Sequence, residues 1–100
     1  MVTQAHYLTL AAVLFSIGVI GVVLRRNALV ILMSIELMLN AANLTFLTFA
    51  HYRGEAAGQV LVFFVIALAA AEVTVGLAIL MAIFKKQGTV DVGDLRFLRG

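Results

Sequence analysis

The chain has 100 residues, of which 64% are hydrophobic and 12% charged, and its formal net charge is +2. Soluble domains contain about 45–50% apolar and about 25% charged residues, so this composition and a mean hydropathy of +1.14 exclude an ordinary soluble domain and indicate an integral membrane protein. The absence of cysteine excludes disulfides, thiolate-held iron–sulfur clusters and Cys-based zinc sites, and the scattered basic residues do not support nucleic-acid binding.

Three apolar runs, residues 7–24, 28–50 and 60–84, are each long enough to cross a bilayer core of about 30 Å as a helix. The first run ends in Arg25-Arg26 and has no basic residue before it, so it is expected to be a retained span and not a signal peptide. The connections are short, which predicts antiparallel neighbours. The expected fold is therefore all-α: one membrane domain, 1–100, with three transmembrane helices running up, down and up, and a short C-terminal tail, 85–100.

The basic residues predict how the spans are oriented. Six of the seven flank one side of the predicted membrane, whereas the N-terminus and the second loop together hold only Arg53. The positive-inside rule therefore places the first turn and the C-terminus in the cytoplasm and the N-terminus outside. The six are Arg25, Arg26, Lys85, Lys86, Arg96 and Arg99.

Two glutamates interrupt the apolar spans. Glu36 lies ten residues after Arg26, or about 15 Å along a helix, and Glu72 lies thirteen residues before Lys85, or about 20 Å. Both are therefore expected near the middle of the membrane, offset in depth by about 5 Å. Each costs roughly 2.5–3.5 kcal/mol on insertion, and nothing in folding alone requires that cost.

The glutamates have two interpretations. Protonated carboxyl groups can hydrogen-bond between helices as packing contacts, but Asn or Gln would do this with less cost. Ionisable residues inside membranes usually face a bundle interior or water and mark ion or proton paths, so proton transfer is the favoured function. The two histidines, His6 and His51, are 45 residues apart and make a poor metal pair; His51 is interpreted as an interfacial loop residue or a proton exit group.

Polar and small residues accompany both glutamates. Asn40 and Asn43 follow Glu36 at i+4 and i+7 and share its helix face, where they can bind water or a neighbouring helix. Ala69 and Gly76 flank Glu72 and allow another backbone to approach. Three helices cannot shield all these polar groups from lipid, so we expect larger membrane partners.

Other residues receive simpler interpretations. The pair Arg25-Arg26 is a topology determinant or an electrostatic influence on a nearby glutamate. Gly18 and Gly21, with Ser16, form a predicted close-packing face. The charged tail residues are expected to be solvated or to contact another subunit; they are Asp91, Asp94, Arg96 and Arg99.

Together, "RRN" in the first turn, "LMSIELMLNAANL" in the second span and "AAAEVTVGLAI" in the third resemble one family over essentially the whole chain. This is the family of subunit K of bacterial NADH-quinone oxidoreductase, the small membrane subunit of respiratory complex I. The resemblance implies a non-redox subunit of a proton-translocating enzyme of the respiratory chain, in the bacterial inner membrane, with no catalytic activity of its own.

The resemblance also implies partners and site residues. The partners are other membrane-arm subunits, both small and antiporter-like, and the bilayer, while NADH, flavin, iron–sulfur clusters and quinone belong to other subunits. No cofactor, metal or catalytic residue is expected on this chain. The family's functional carboxyls carry over onto Glu36 and Glu72, and its paired arginines onto Arg25 and Arg26. The resulting hypothesis is lateral proton relay coupled to quinone reduction.

Two alternatives remain open from the sequence. The small subunit of multisubunit sodium/proton antiporters shares the three-span plan and the intramembrane carboxylates. A purely structural membrane-assembly subunit would use the glutamates only for packing.

Overall fold

A computed structural model describes residues 1–94 and contains three long helices in that part of the chain. They are α1 (Gln4–Leu24), α2 (Ala28–Arg53) and α3 (Ala56–Gln87), followed by one turn of 3₁₀ helix at Val92–Asp94. All three are long and apolar enough to cross a membrane, which confirms the predicted all-α class. The third helix starts four residues before the predicted span and continues through Lys85 to Gln87, which the sequence analysis assigned to the tail.

The helix ends follow from local side-chain chemistry. His6 Nδ1 accepts a hydrogen bond of 2.9 Å from the Thr3 N–H and so caps α1. Asn27 caps α2, because its Oδ1 accepts from the Leu29 N–H at 2.9 Å and the Val30 N–H at 3.3 Å. The C-terminal ends of α2 and α3 are glycines in the left-handed conformation, Gly54 with φ 69° and Gly88 with φ 71°, a region that residues with a Cβ rarely adopt.

The second helix lies between the other two. Gly18 and Gly21 of α1 pack against Ser34, whereas the glycines of α3 pack against Leu32 and Ala50. At 100° per residue, Ser34 lies on the opposite side of α2 from Leu32 and Ala50. Within the described residues α1 and α3 have no extended contact with each other, so α2 alone connects the bundle.

Two contacts fix the register of α3 against α2. A Cβ on Gly76 would lie 3.1 Å from Leu32 Cδ1, and a Cβ on Gly58 would lie 3.0 Å from Ala50 Cβ. Eighteen residues separate Leu32 from Ala50 on α2, and eighteen separate Gly58 from Gly76 on the antiparallel α3. One register therefore holds along the whole interface.

The interior of the bundle is made of small side chains. The buried hydrophobic residues are mostly alanines, and no large side chain is fully buried in the described part of the chain. Large apolar residues point outward instead; Val23, Leu24, Phe63 and Phe64 are each about 70% exposed. Such a surface requires lipid or protein around it, as the composition predicts.

The segment after α3 folds back onto the turn between α1 and α2. The Ala28 N–H donates to the Val90 carbonyl at 2.7 Å, and the Val92 N–H donates to the Arg26 carbonyl at 2.8 Å. Asn27 and Asp91 thus face each other as an isolated antiparallel bridge. Asp91, predicted to be solvated or to contact another subunit, is partly exposed and contacts Arg26 of this chain. Arg96 and Arg99 lie outside the described residues.

Candidate functional site

The register of α2 and α3 places the two intramembrane glutamates at the same level. Glu36 lies four residues after Leu32 on α2, and Glu72 lies four residues before Gly76 on α3. The two helices are antiparallel, so both steps lead in the same direction along the interface. Because Leu32 contacts the Gly76 position, the two carboxyl-bearing residues lie level across the interface. The predicted offset of about 5 Å rests on equal depths for Arg26 and Lys85. In the structure α3 extends beyond the start of α2.

The two glutamates differ in exposure. Glu36 is half-buried, one helical turn from Leu32 on the face of α2 that meets α3. Glu72 is exposed and lies in an open groove of about 440 Å³ on α3, lined by apolar or small neighbours. The expected inward position is therefore only partly present in the single chain. In the described residues neither carboxylate has an ion-pair partner.

The two asparagines differ in burial. Asn43 has 5% exposure and lies on the same side of α2 as Leu32 and Ala50, whereas Asn40, nearer the edge of that face, is exposed. The Asn43 side-chain Nδ2 is fully enclosed and has no hydrogen-bond partner within the described chain. The sequence places both amides on one stripe with Glu36; of the two, Asn43 is buried and Asn40 is exposed.

The two arginines of the first turn also differ. Arg26 Nε lies 3.3 Å from Asp91 Oδ1, in a pair whose side chains are 68% and 39% exposed. Arg25 is exposed and its N–H caps α1 by donating to the Gly21 carbonyl at 3.1 Å. The pairing of Arg26 with Asp91 is not predictable from the sequence, because nothing in the tail pattern indicates that the chain reverses after Gly88.

The end of the bundle opposite the Arg25-Arg26 turn contains a partly open pocket of about 240 Å³. His51 lines it together with Tyr52, and their rings meet edge to face with centroids 5.1 Å apart. His6 serves instead as the α1 cap. Within the described residues no group of three or more His, Cys, Asp or Glu side chains has an arrangement that would hold a metal ion.

Comparison with known proteins decides the family. Residues 6–100 match the family described as NADH-ubiquinone/plastoquinone oxidoreductase chain 4L. The chain belongs to this family. It is 58% identical over 100 residues to NADH-quinone oxidoreductase subunit K of Roseiflexus castenholzii, with both chains covered completely.

Other relatives agree. The chain is 57% identical over 99 residues to NADH-quinone oxidoreductase subunit K of Myxococcus xanthus, covering 99% of each chain. It is also 57% identical over 98 residues to the protein of that name from Anaeromyxobacter sp. strain Fw109-5, covering 98% of each chain.

Family membership confirms the resemblance seen in the sequence and favours it over the antiporter alternative. The chain is a membrane subunit of NADH-quinone oxidoreductase, or complex I, and other subunits of that complex are its partners. The three apolar helices agree with a place in the membrane part of the complex.

Proposed function

We propose that this subunit carries protons between Glu36 and Glu72 as part of the proton translocation that complex I couples to quinone reduction. The observation that carries the proposal is the common level of the two residues across the α2–α3 interface. Helices in contact have axes 8–10 Å apart, a span that two glutamate side chains and a few water molecules can bridge. Placing two carboxyl groups at one depth of a membrane costs about 5–7 kcal/mol on insertion scales, which packing alone does not require.

Polar neighbours support this role. The half-buried Glu36 and the buried amide of Asn43 lie on the same face of α2, so an internal water at Asn43 would extend the polar path along the helix. Asn40, on the exposed side, supports the path where another subunit covers it. Arg25 and Arg26 support the path by providing positive charge at the end of α2 nearest Glu36.

The exposed position of Glu72 supports contact with a neighbouring subunit. A carboxyl group facing lipid is costly, and the groove around Glu72 is open and lined by residues of α3 alone. We propose that a neighbouring membrane-arm subunit, small or antiporter-like, covers this groove and continues the proton path. NADH, flavin, iron–sulfur clusters and quinone are held by other subunits, and this chain holds no cofactor.

The proposed setting is the bacterial cell membrane, with the N-terminus outside and the Arg25-Arg26 turn and C-terminus in the cytoplasm. The distribution of basic residues supports this orientation. It places the pocket at His51 on the outer side.

The test is to replace Glu36 and Glu72 by Gln, singly and together, in the assembled complex. Gln keeps the size and a hydrogen-bonding amide but cannot carry a proton, so proton pumping driven by NADH is expected to fall roughly tenfold or more in each variant. Gln59, exchanged for Glu at the outer end of α3, is a control for adding a carboxyl group elsewhere.

The readouts are proton uptake or release per NADH oxidised and the amount of assembled complex. Full pumping in both single variants and in the double variant would contradict the proposal. Loss of assembly in the Gln variants would instead assign the glutamates to packing.

A further inference from the structure

A second set of charged residues lies at the end of the bundle near the Arg25-Arg26 turn, away from the glutamates. The register places Leu80 level with Ala28, the first residue of α2, so α3 continues beyond that point for seven residues, or about 10 Å. The chain then reverses at Gly88 and returns to the α1–α2 turn. This reversal brings a carboxylate from the tail to Arg26.

Backbone hydrogen bonds hold the returning segment in place. The first N–H groups of a helix have no partner within the helix, and in α2 the first of these, from Ala28, donates to the Val90 carbonyl at 2.7 Å. Asn27 satisfies the next two through its side chain. The tail and the Asn27 cap together therefore complete the start of the helix that carries Glu36.

Asp91 joins the two sides through its side chain. Its Oδ1 accepts from the Gly93 N–H at 2.7 Å and lies 3.3 Å from Arg26 Nε. The Asp91 N–H in turn donates to Thr89 Oγ1 at 3.1 Å, which shapes the segment before it. One carboxylate thus organises both its own loop and the arginine opposite.

The Arg26 guanidinium lies directly against Gly93. A Cβ at position 93 would overlap Nη2 and would lie 2.7 Å from Cζ. The atoms in the way are the end of a flexible side chain, so any larger residue would displace Arg26 and leave the backbone in place. Glycine at position 93 therefore allows the Arg26 side chain to adopt the observed position.

We infer that Thr89 to Gly93 form a clasp over the α1–α2 turn, in which Asp91 is a positioning residue that fixes Arg26 and the first turn of α2. The clasp sets the position of the positive charge nearest the Glu36 end of α2 and limits fraying of that helix. Its existence does not depend on proton transfer by Glu36 and Glu72.

Cysteine cross-linking tests the geometry, because this chain contains no cysteine of its own. Ala28 and Val90, next to the Asn27–Asp91 bridge, face each other across the bond from the Ala28 N–H to the Val90 carbonyl, and such pairs have Cα atoms about 5.5 Å apart, within the range of a disulfide. The pair Ala28→Cys and Val90→Cys leaves Asn27 and Asp91 in place and is expected to cross-link on mild oxidation in the assembled complex. The control pair, Ala28→Cys with Gln87→Cys, is not, since the register puts Gln87 about 10 Å further along the axis than Ala28. Equal cross-linking of both pairs, or of the control alone, would overturn the clasp.

Hydrogen exchange and pumping test the positioning role. Asp91→Ala is expected to speed amide exchange at Ala28 roughly two- to fivefold, the range for an exposed ion pair, and to lower pumping per NADH. Asp91→Glu keeps a carboxylate at this position and is expected to show the wild-type amide exchange at Ala28 and the wild-type pumping per NADH. Gly93→Ala is expected to move Arg26 while the Asp91 carboxylate stays in place, so it lowers pumping per NADH but leaves amide exchange at Ala28 unchanged. Lys86→Ala removes a charge outside the clasp and is expected to change neither readout.

Unchanged exchange at Ala28 in Asp91→Ala would overturn the clasp. Faster exchange with unchanged pumping would overturn the positioning role. Because exchange and cross-linking do not involve the glutamates, both results stand whether or not the Gln variants of Glu36 and Glu72 pump protons.

Discussion

At the scale of single residues, Asn43 shows how the structure refines the sequence pattern. A buried amide N–H without a partner costs about 1–3 kcal/mol, and more where no water is present. The α3 residues on the facing side, Val62 and Ala69, offer no side-chain acceptor to Nδ2. The Asn43 amide is therefore expected to hold a bound water about two helical turns from Glu36.

Asn43→Leu is expected to remove that water and slow NADH-driven pumping several-fold without loss of assembled complex, since an apolar side chain of similar size fits the site. Asn40→Leu, one turn away on the exposed side, is the matched control and should have the smaller effect. A rise in thermal stability of about 1–3 kcal/mol with unchanged pumping in Asn43→Leu would show that the amide is simply unpaired.

At the scale of the helices, packing depends on glycines whose neighbours differ in kind. A Cβ on Gly18 would lie 2.7 Å from the Ser34 carbonyl oxygen and 3.2 Å from the Met38 nitrogen, both backbone atoms that a rotamer change cannot move. A Cβ on Gly76 meets only the tip of the Leu32 side chain, at 3.1 Å.

Gly18→Ala is therefore expected to push α1 away from α2 and destabilise the subunit by about 1–3 kcal/mol. Gly76→Ala, relieved by a small shift of Leu32, should cost less. The yield of assembled complex and its thermal inactivation measure both. Equal effects of the two variants would contradict the close backbone contact at Gly18.

The helices also show what the sequence can predict. Unbroken apolar runs and short connections were enough for three antiparallel helices, and Gly18 and Gly21 indicated the close-packing face of α1. Ser16, predicted to share that face, is instead exposed and donates to the Ala12 carbonyl of its own helix. The relative depth of residues on α2 and α3, such as Glu36 and Glu72, was not predictable to better than a few ångströms. The sequence does not reveal that α3 continues past the start of α2. The contact between Asp91 and Arg26 depends on the reversal of the chain after Gly88, and hydrophobic periodicity does not predict such a reversal.

At the scale of the whole molecule, the order α1–α2–α3 leaves many large apolar side chains and Glu72 exposed. The sequence predicted that three helices cannot shield every polar group, and the exposures of Glu72 and Asn40 agree with that reasoning. Which subunits cover them depends on surfaces of other chains, so this sequence alone contains no record of them.

The orientation of the molecule is open to a direct test with single cysteines. In intact cells, Val2→Cys is expected to react with a membrane-impermeant maleimide, because the positive-inside rule puts the N-terminus outside. Gln87→Cys should react only after permeabilisation. The reverse pattern would contradict the proposed orientation.

The central claim is that Glu36 and Glu72 gain and lose protons during turnover. Infrared difference spectroscopy of the complex, recorded as NADH reduces quinone, measures this through the C=O stretch of protonated carboxyl groups. Proton transfer by these two residues predicts carboxyl bands that disappear in Glu36→Gln and in Glu72→Gln. Difference spectra with the same carboxyl bands in wild type and both variants would contradict it.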